Sequence, residues 1–176
     1  MQQLIKQIEQ WAEERNLIEG STPQKQMLKL MEEFGELCGG VAKNKPYVIK
    51  DSIGDCFVVL VILNKQMRFM RLDKYQPEPE IDFGNTEKTL ISLMRDMANL
   101  KLNFELHPAD YMTLDAYNDT LDETIFAFRC VVSYLARIAK LSNLELKECV
   151  QHAYDQIKDR KGKMVEGIWV KEEDLK

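Results

Sequence analysis

The chain has 176 residues, and its 24 lysines and arginines against 29 aspartates and glutamates give a net charge of −5. A chain of this length can bury about 70% of its unfolded surface around one core, so we expect a single domain over residues 1–176. The negative charge disfavours a general nucleic-acid binder, because such proteins carry an excess of basic side chains. The longest apolar run is too short to cross a bilayer, so we expect no membrane partner.

The four cysteines, Cys38, Cys56, Cys130 and Cys149, all fall within apolar helical patterns. There is no C-x-x-C pair, and the N-terminus does not have the pattern of a secretory signal. These features predict small core residues of a reduced, cytoplasmic protein. Cys149 and His152 have a spacing that occurs in zinc sites, but two ligands do not make a site.

Residues 2–16 predict a short amphipathic helix with Leu4, Ile8, Trp11 and Arg15 on one face. Gly20 ends this segment. The Ser-Thr-Pro at 21–23 supplies a cap and a first-turn proline, which predict the start of a second helix.

The second helix is acidic and amphipathic. Its apolar side chains recur at helical spacing and predict one core-facing stripe, made of Met27, Leu30, Met31, Phe34, Leu37, Cys38 and Val41. Glu32, Glu33 and Glu36 lie off that stripe. They share one side of two turns, so three like charges are close together.

A third segment begins with Asp51 and Asp55, one turn apart, and continues as an almost uncharged helix to residue 63. The turn at 44–47 is short enough to make the two helices antiparallel neighbours. Carboxylates held together repel unless a cation lies among them, and hard oxygen ligands favour Mg²⁺ or Mn²⁺. The alternative is a solvated acidic face, which an isolated E-E-x-x-E often is.

The stretch Glu32-Glu-Phe-Gly-Glu-Leu37, followed by Ile53-Gly-Asp-Cys-Phe-Val-Val-Leu60, resembles the EExxE and ExxD motifs of the MazG-like all-α nucleoside triphosphate pyrophosphohydrolases. Residues 11–15, 22–30 and 154–171 resemble the flanking segments of phage-type members. The likeness covers roughly residues 1–70 and 130–174. It implies an all-α four-helix bundle that forms a homodimer.

The resemblance also implies site residues. Glu33, Glu36 and Asp55 would hold the metal with Asp51, and the catalytic set would be Glu32, Glu33, Glu36 and Asp55. Substrate would contact Gln26, Lys29, Lys158, Arg160 and Lys163. Ser52 stands where the motif has a glutamate, so Asp51 is the candidate substitute, and a glutamate at 52 would add a ligand.

Residues 73–85 contain prolines and glycine among charged residues, which predicts a loop. Beyond it, residues 90–100 can be aligned with 27–37, and Arg95, Asp96 and Asn99 correspond to Glu32, Glu33 and Glu36. Residues 119–135 echo 51–63. We therefore predict an active half at 1–72 and a degenerate second half at 85–140, although any two amphipathic helices can match this well.

Residues 142–176 predict a closing helix and tail. Ser142 or Asn143 would cap the helix, and a second loop is expected at 105–117. Lys158, Arg160 and Lys163 are favourable charges at a helix C-terminus or a clamp on a triphosphate. Residues 165–170 predict a hairpin or an extended strand, and Trp11 and Trp169 either stack on a base or pack in the core.

These features predict Mg²⁺-dependent hydrolysis of a nucleoside or deoxynucleoside triphosphate to the monophosphate and pyrophosphate. Two alternatives stay open at this point. One is a dUTPase-like pyrophosphatase, since that branch shares the carboxylate motifs. The other is a non-catalytic helical module that binds a nucleotide or a protein, with Ser52 as a sign of decay.

Overall fold

A computed structural model describes residues 1–68, 72, 84–100 and 114–175, with side chains from residue 118 onward in the last stretch. The elements are α1 (Gln2–Glu14), α2 (Pro23–Ala42), α3 (Pro46–Met67), α4 (Thr86–Asn99), α5 (Leu114–Leu141), α6 (Leu146–Ile157), β1 (Gly162–Val165), β2 (Ile168–Lys171) and a 3₁₀ turn (Glu172–Asp174). The predicted helical class with a short extended tail is confirmed. Most of the predicted loops at 73–85 and 105–117 lies outside the described residues.

Helix α3 is the central element, and it packs against α1, α2, α5 and α6. Residues 56–64 of this helix are all buried. A nearly continuous apolar run has no polar face to turn toward water, so it is stable only when other helices surround it. The almost uncharged helix that the sequence predicts is therefore present, and it is buried on most sides.

Helix α2 begins as the sequence predicts. Pro23 lies in the first turn, and the Thr22 hydroxyl accepts a hydrogen bond of 3.3 Å from the backbone N–H of Lys25. The side that faces α3 is narrower than the predicted stripe, and its buried residues are Gln26, Leu30, Glu33, Leu37 and Gly40. Met31 is 53% exposed, so its place in the core stripe was wrong. The buried seam is centred on Leu30 and Glu33, which turns Met31 outward.

Two glycines allow the helices to approach closely. A Cβ on Gly40 would lie 3.1 Å from Val48 in the first turn of α3. A Cβ on Gly54 would collide with the carbonyl oxygen of Cys149 and lie 2.7 Å from the Cβ of Ala153. Gly54 therefore brings α6 against the beginning of α3, next to its aspartates.

Helices α4 and α5 form a second hairpin-like pair, and the burial pattern of α4 matches that of α2. Leu93 and Leu100 are buried, as are the corresponding Leu30 and Leu37. The acid at the centre is buried in each helix, Glu33 in α2 and Asp96 in α4. This match supports the predicted duplication and the division into two halves, which stay predictions.

The closing segment differs from the prediction at its start. Asn143 has a left-handed backbone with φ of 56°, which ends α5 and cannot start a helix. Helix α6 begins at Leu146 after Glu145, which makes no side-chain capping bond, so the predicted cap at Ser142 or Asn143 was wrong.

The predicted hairpin is confirmed. Strands β1 and β2 pair antiparallel, with Val165 opposite Ile168. Glu166 and Gly167 between them have φ of 49° and 80°. Two successive positive φ angles are what a tight two-residue turn of this class requires.

No disulfide joins the four cysteines; Cys56 and Cys149 are buried, and Cys38 and Cys130 are half-buried against the core. Their predicted role as small core residues is therefore confirmed. No helix in the described ranges combines the length and the apolar character that crossing a membrane requires.

Candidate functional site

A cavity of about 410 Å³ lies where α2, α3, the end of α6 and the β1–β2 hairpin meet. It brings together most of the predicted site residues, which come from separate elements of the chain: Gln26, Lys29, Glu32, Glu33, Glu36, Asp51, Asp55 and Arg160. Lys158 and Lys163 do not line it. The chemistry of the cavity therefore depends on how these carboxylates and cations are held.

Glu33 and Asp55 form the inner acidic wall. Glu33 is buried in the seam between α2 and α3, and burial is the main cause that raises its pKa. Burial, followed by the charges of Glu33 and Asp51, raises the pKa of Asp55 to about 7. Two carboxylates that resist ionisation in a partly dry cavity are groups that gain from a nearby positive charge.

Lys29 supplies a positive charge to this wall from within the chain. Its ammonium lies 2.7 Å from Oε1 of Glu33 and 3.0 Å from Oε2 of Glu32. Partial burial lowers the pKa of Lys29, but the hydrogen bonds with Glu33 and Glu32 outweigh it, so its pKa is raised. Glu36, one turn further along α2, is exposed at the cavity.

Asp51 is held by helix α6. Its Oδ1 accepts a hydrogen bond of 2.9 Å from Nε2 of Gln156 and lies 3.3 Å from Nε2 of His152. Gln156 also contacts the hydroxyl of Tyr47, whose ring packs edge-on against His152. Asp51 therefore faces the cavity in an orientation that α6 stabilises, one turn before Asp55 on the same side of α3.

The side chain of Ser52 is buried away from the cavity. It is 1% exposed, is not part of the cavity lining, and its hydroxyl has no hydrogen-bond partner among the described residues. A glutamate at this position would start from a site buried among core side chains, so the structure gives no support to the expectation that it would add a ligand, which stays a prediction. Asp51, in contrast, lies at the cavity, where the predicted substitute ligand has to be.

The donor set fits a hard divalent cation, because carboxylates from two helices line one cavity and two of them are disfavoured as bare charges. As they stand, however, no three His, Cys, Asp or Glu side chains in the described ranges are arranged to hold a metal ion. Lys29 binds Glu33 and Glu32 directly. A cation would therefore have to displace the ammonium group of Lys29.

Basic side chains also line the cavity. They are Lys25, Arg160 and Lys171, which together are called the basic wall. Lys158 instead pairs with Asp155 at 2.8 Å on the surface, and Lys163 is exposed in β1 between two half-buried residues. Their positions follow from α6 ending before residue 158 and from the alternation of side chains along a strand.

Sequence reasoning missed Lys25, Lys171 and Gln156. The Lys25 side chain is held at the cavity because its ammonium donates a hydrogen bond to the backbone carbonyl of Glu166 in the hairpin turn. Lys171 is brought to the cavity by its pairing with Gly162. Only the i, i+4 relation of Lys25 to Lys29 offered a signal in the sequence, because the other contacts join distant segments.

Two tryptophans, Trp11 and Trp169, line the cavity near α1. The indole N–H of Trp11 donates 3.0 Å to the carbonyl of Ile157, and the guanidinium of Arg15 lies 4.9 Å from the Trp11 ring and 5.7 Å from the Trp169 ring. Arg15 also donates 3.2 Å to the carbonyl of Arg160. These hydrogen bonds hold the end of α6 in place. Both tryptophans pack against Arg15 and also line the cavity.

The second half holds its buried acid differently. Asp96 accepts hydrogen bonds of 3.0 Å from the hydroxyl of Tyr134 and 2.9 Å from Nε of Arg95. Burial, then the bond to Asp96, raises the pKa of Tyr134 to about 12. Groups of the chain itself therefore satisfy this carboxylate.

Comparison with known proteins gives little information about this chain. No family model matches it, and no solved structure matches it. An "uncharacterized 18.2 kDa protein in rep-hol intergenic region" of Haemophilus phage HP1 (strain HP1c1) is 83% identical over 66 residues. That stretch covers 38% of this chain and 40% of the phage protein, so the chain spans well under half of that relative.

Proposed function

We propose that the chain is a Mg²⁺-dependent pyrophosphohydrolase of the MazG-like all-α type, which hydrolyses a nucleoside or deoxynucleoside triphosphate between the α and β phosphates. One observation carries the proposal. A single cavity is lined both by carboxylates of α2 and α3 and by the cations Lys25, Arg160 and Lys171. A metal-bound polyphosphate needs both kinds of group at once.

The acidic wall would hold the cation. Glu33, Glu36 and Asp55 offer oxygen ligands, and Gln156 keeps Asp51 oriented toward the same space. When bound, Mg²⁺ would neutralise phosphate charge and acidify the attacking water. Mn²⁺ has similar ligand preferences and is expected to substitute for it.

The basic wall would hold the phosphates. Arg160 offers paired N–H donors, and Lys25 and Lys171 offer mobile charges. Lys29 lines the same cavity and would join them once released from Glu33. These cations would orient the α-phosphorus for in-line attack by water, whose oxygen forms the new bond as the bond to the leaving pyrophosphate breaks.

Glu32 is the proposed acceptor of the proton that the attacking water loses. It lines the cavity, is exposed at its edge, and has one carboxylate oxygen near Lys29. An exposed carboxylate can take a proton and pass it to solvent. The apolar part of the cavity, with Leu17, Ile62 and Trp169, would cover the nucleoside.

A non-catalytic nucleotide-binding module is the second candidate. It is favoured by the direct ion pairs of Lys29 with Glu33 and Glu32, which neutralise the acidic wall without a metal. Such a module would bind a triphosphate through the basic wall and leave it intact. Binding without turnover distinguishes the two functions.

The test is a screen of ribo- and deoxynucleoside triphosphates, dUTP and modified nucleotides included, with the full chain and Mg²⁺. We expect stoichiometric release of pyrophosphate and monophosphate, which stops when a chelator removes the metal. Turnover of dUTP alone would identify the dUTPase-like alternative. Release of orthophosphate, or binding of nucleotides with no hydrolysis at all, would contradict the proposed reaction.

A further inference from the structure

Arg15, the residue that follows α1, is a mostly buried cation that does not itself line the cavity. Its side chain is 15% exposed, and its ion pair with the exposed Glu14 is long, at 4.0 Å. Its Nε is buried and has no hydrogen-bond partner among the described residues. Burying a cation and an unpaired N–H costs stability, so packing alone does not account for an arginine at this position.

The guanidinium of Arg15 joins three parts of the chain at one edge of the cavity. Its Nη2 donates hydrogen bonds of 2.9 Å to the carbonyl of Lys158 and 3.2 Å to the carbonyl of Arg160, in the link between α6 and the hairpin. It also lies 4.9 Å from the Trp11 ring and 5.7 Å from the Trp169 ring. A planar guanidinium can donate to carbonyls in its plane while its face contacts a ring, and a lysine ammonium has no such plane.

Two of these contacts reach cavity residues that are far from Arg15 in the sequence. Arg160 belongs to the basic wall, and Trp169 is part of the apolar lining. The Arg160 side chain is exposed, and its backbone lies beyond the end of α6. An exposed side chain takes its direction from its backbone, so the bond from Arg15 to the Arg160 carbonyl restricts where the Arg160 guanidinium can reach.

We propose that Arg15 is a positioning residue for the nucleotide. It acts through Arg160, whose guanidinium it directs toward the phosphates, and through Trp169, whose ring it holds over the nucleoside. This inference rests on the proposed function and adds to it a residue that touches neither the metal nor the substrate. It also gives α1 a role in the site, because the end of α1 ties α6 and the hairpin to the cavity.

Binding of inorganic tripolyphosphate to the full chain with Mg²⁺, measured by calorimetry, tests the action through Arg160. We expect Arg15→Met to bind it about tenfold more weakly than wild type, because the Arg160 backbone loses a charge-assisted hydrogen bond. Arg15→Lys should show an intermediate loss, since it keeps the charge but not the planar fork. Arg68→Met, at the exposed residue that ends α3, is the matched control and should bind as wild type does. Circular dichroism should show unchanged helix content in all three variants.

A double-mutant cycle separates positioning from a general loss of stability. If Arg15 acts through Arg160, adding Arg15→Met to Arg160→Met should weaken tripolyphosphate binding by less than about twofold further. Losses that simply add would assign Arg15 a structural role and overturn the inference. Equal binding by wild type and Arg15→Met would overturn it as well.

Fluorescence tests the action through Trp169. The chain has two tryptophans, so Trp169 is the only one in a Trp11→Phe background. We expect acrylamide to quench its emission more strongly when Arg15→Met is added, because the ring loses the guanidinium that packs on it. Equal quenching in the two proteins would overturn the role of Arg15 at Trp169.

Tripolyphosphate binding does not depend on hydrolysis, so the inference and the proposed reaction can fail separately. The expected losses in a chain that releases no pyrophosphate from any nucleotide would support the inference and contradict the reaction. Pyrophosphate release with equal binding by wild type and Arg15→Met would do the reverse. A wild type that does not bind tripolyphosphate would overturn both.

Discussion

The ammonium of Lys29 lies 2.7 Å from Oε1 of Glu33, one turn further along α2, and the carboxylate in that pair is buried. A buried carboxylate without a counter-charge is costly, so this lysine stabilises the folded chain while no cation is bound. The same contact places Lys29 in competition with any divalent cation that uses Glu33. The pair therefore links stability to metal binding.

Replacing Lys29 separates these two effects. We expect Lys29→Met to lower the free energy of unfolding of the metal-free protein by about 1–3 kcal/mol, because Glu33 loses its partner. The same variant should bind Mg²⁺ several-fold more tightly in a calorimetric titration. Lys6→Met, on the exposed face of α1, is the control. Unchanged stability and unchanged Mg²⁺ affinity together would show that the ion pair has no such role.

Asp55 predicts a pH dependence of stability. Its pKa is about 7 in the folded chain against an ordinary value of 3.8, so the folded state binds the proton more tightly. The contribution of Asp55 to the free energy of unfolding is largest below about pH 4 and is lost as the pH rises to about 7, on the order of a few kcal/mol. Urea denaturation with a chelator present should therefore give a more stable protein near pH 5 than near pH 8.

The variant Asp55→Asn should reduce that difference, since it removes the titrating group. It should also be more stable than wild type near pH 8. Near pH 8, added Mg²⁺ is expected to raise the free energy of unfolding of the wild-type protein but not that of the variant. The same pH profile in both proteins would assign the effect to other groups.

Loss of the proposed metal-binding carboxylates should abolish turnover without unfolding the chain. We expect Glu36→Gln and Asp55→Asn each to reduce pyrophosphate release more than about 100-fold, because each removes an anionic oxygen from the acidic wall. Glu148→Gln, at an exposed glutamate of α6, should keep full activity. Wild-type rates in either cavity variant would remove the proposed site.

Ser52 tests which residue substitutes for the missing motif glutamate. We expect Ser52→Ala to be neutral or slightly stabilising, because the buried hydroxyl has no hydrogen-bond partner in the part of the chain that the structure describes. Ser52→Glu should cost more than about 3 kcal/mol by burying a carboxylate. Asp51→Asn should fold normally and weaken Mg²⁺ binding. A stable Ser52→Glu protein with tighter Mg²⁺ binding would contradict this assignment.

Substitution of Tyr134 tests how the second half of the chain holds its buried acid, Asp96. We expect Tyr134→Phe to lower the free energy of unfolding by about 1–3 kcal/mol, because buried Asp96 loses a hydrogen bond of 3.0 Å. The number of Mg²⁺ ions bound per chain should not change, since Arg95, Asp96 and Asn99 are predicted to hold no catalytic metal. A change in that number would show that the second half also binds metal.

Much of the local structure was legible in the sequence. Local preferences of neighbouring residues determine three of its features. These are the cap and proline of α2, the buried run of α3, and the Glu166-Gly167 turn. The closeness of the carboxylates on α2 and α3 followed from the short turn between these helices, since two helices joined this closely are antiparallel neighbours. The acidic wall of the cavity was therefore predictable.

Only the tertiary structure decided the rest. Whether Met31 or Glu33 lies in the seam depends on a rotation of α2 by a fraction of a turn, and packing against α3 sets it. The contacts of Gln156 with Asp51 and of Lys25 with the hairpin join residues more than a hundred positions apart. No local pattern encodes such contacts, because they exist only when the closing helix and hairpin fold back over the first half of the chain.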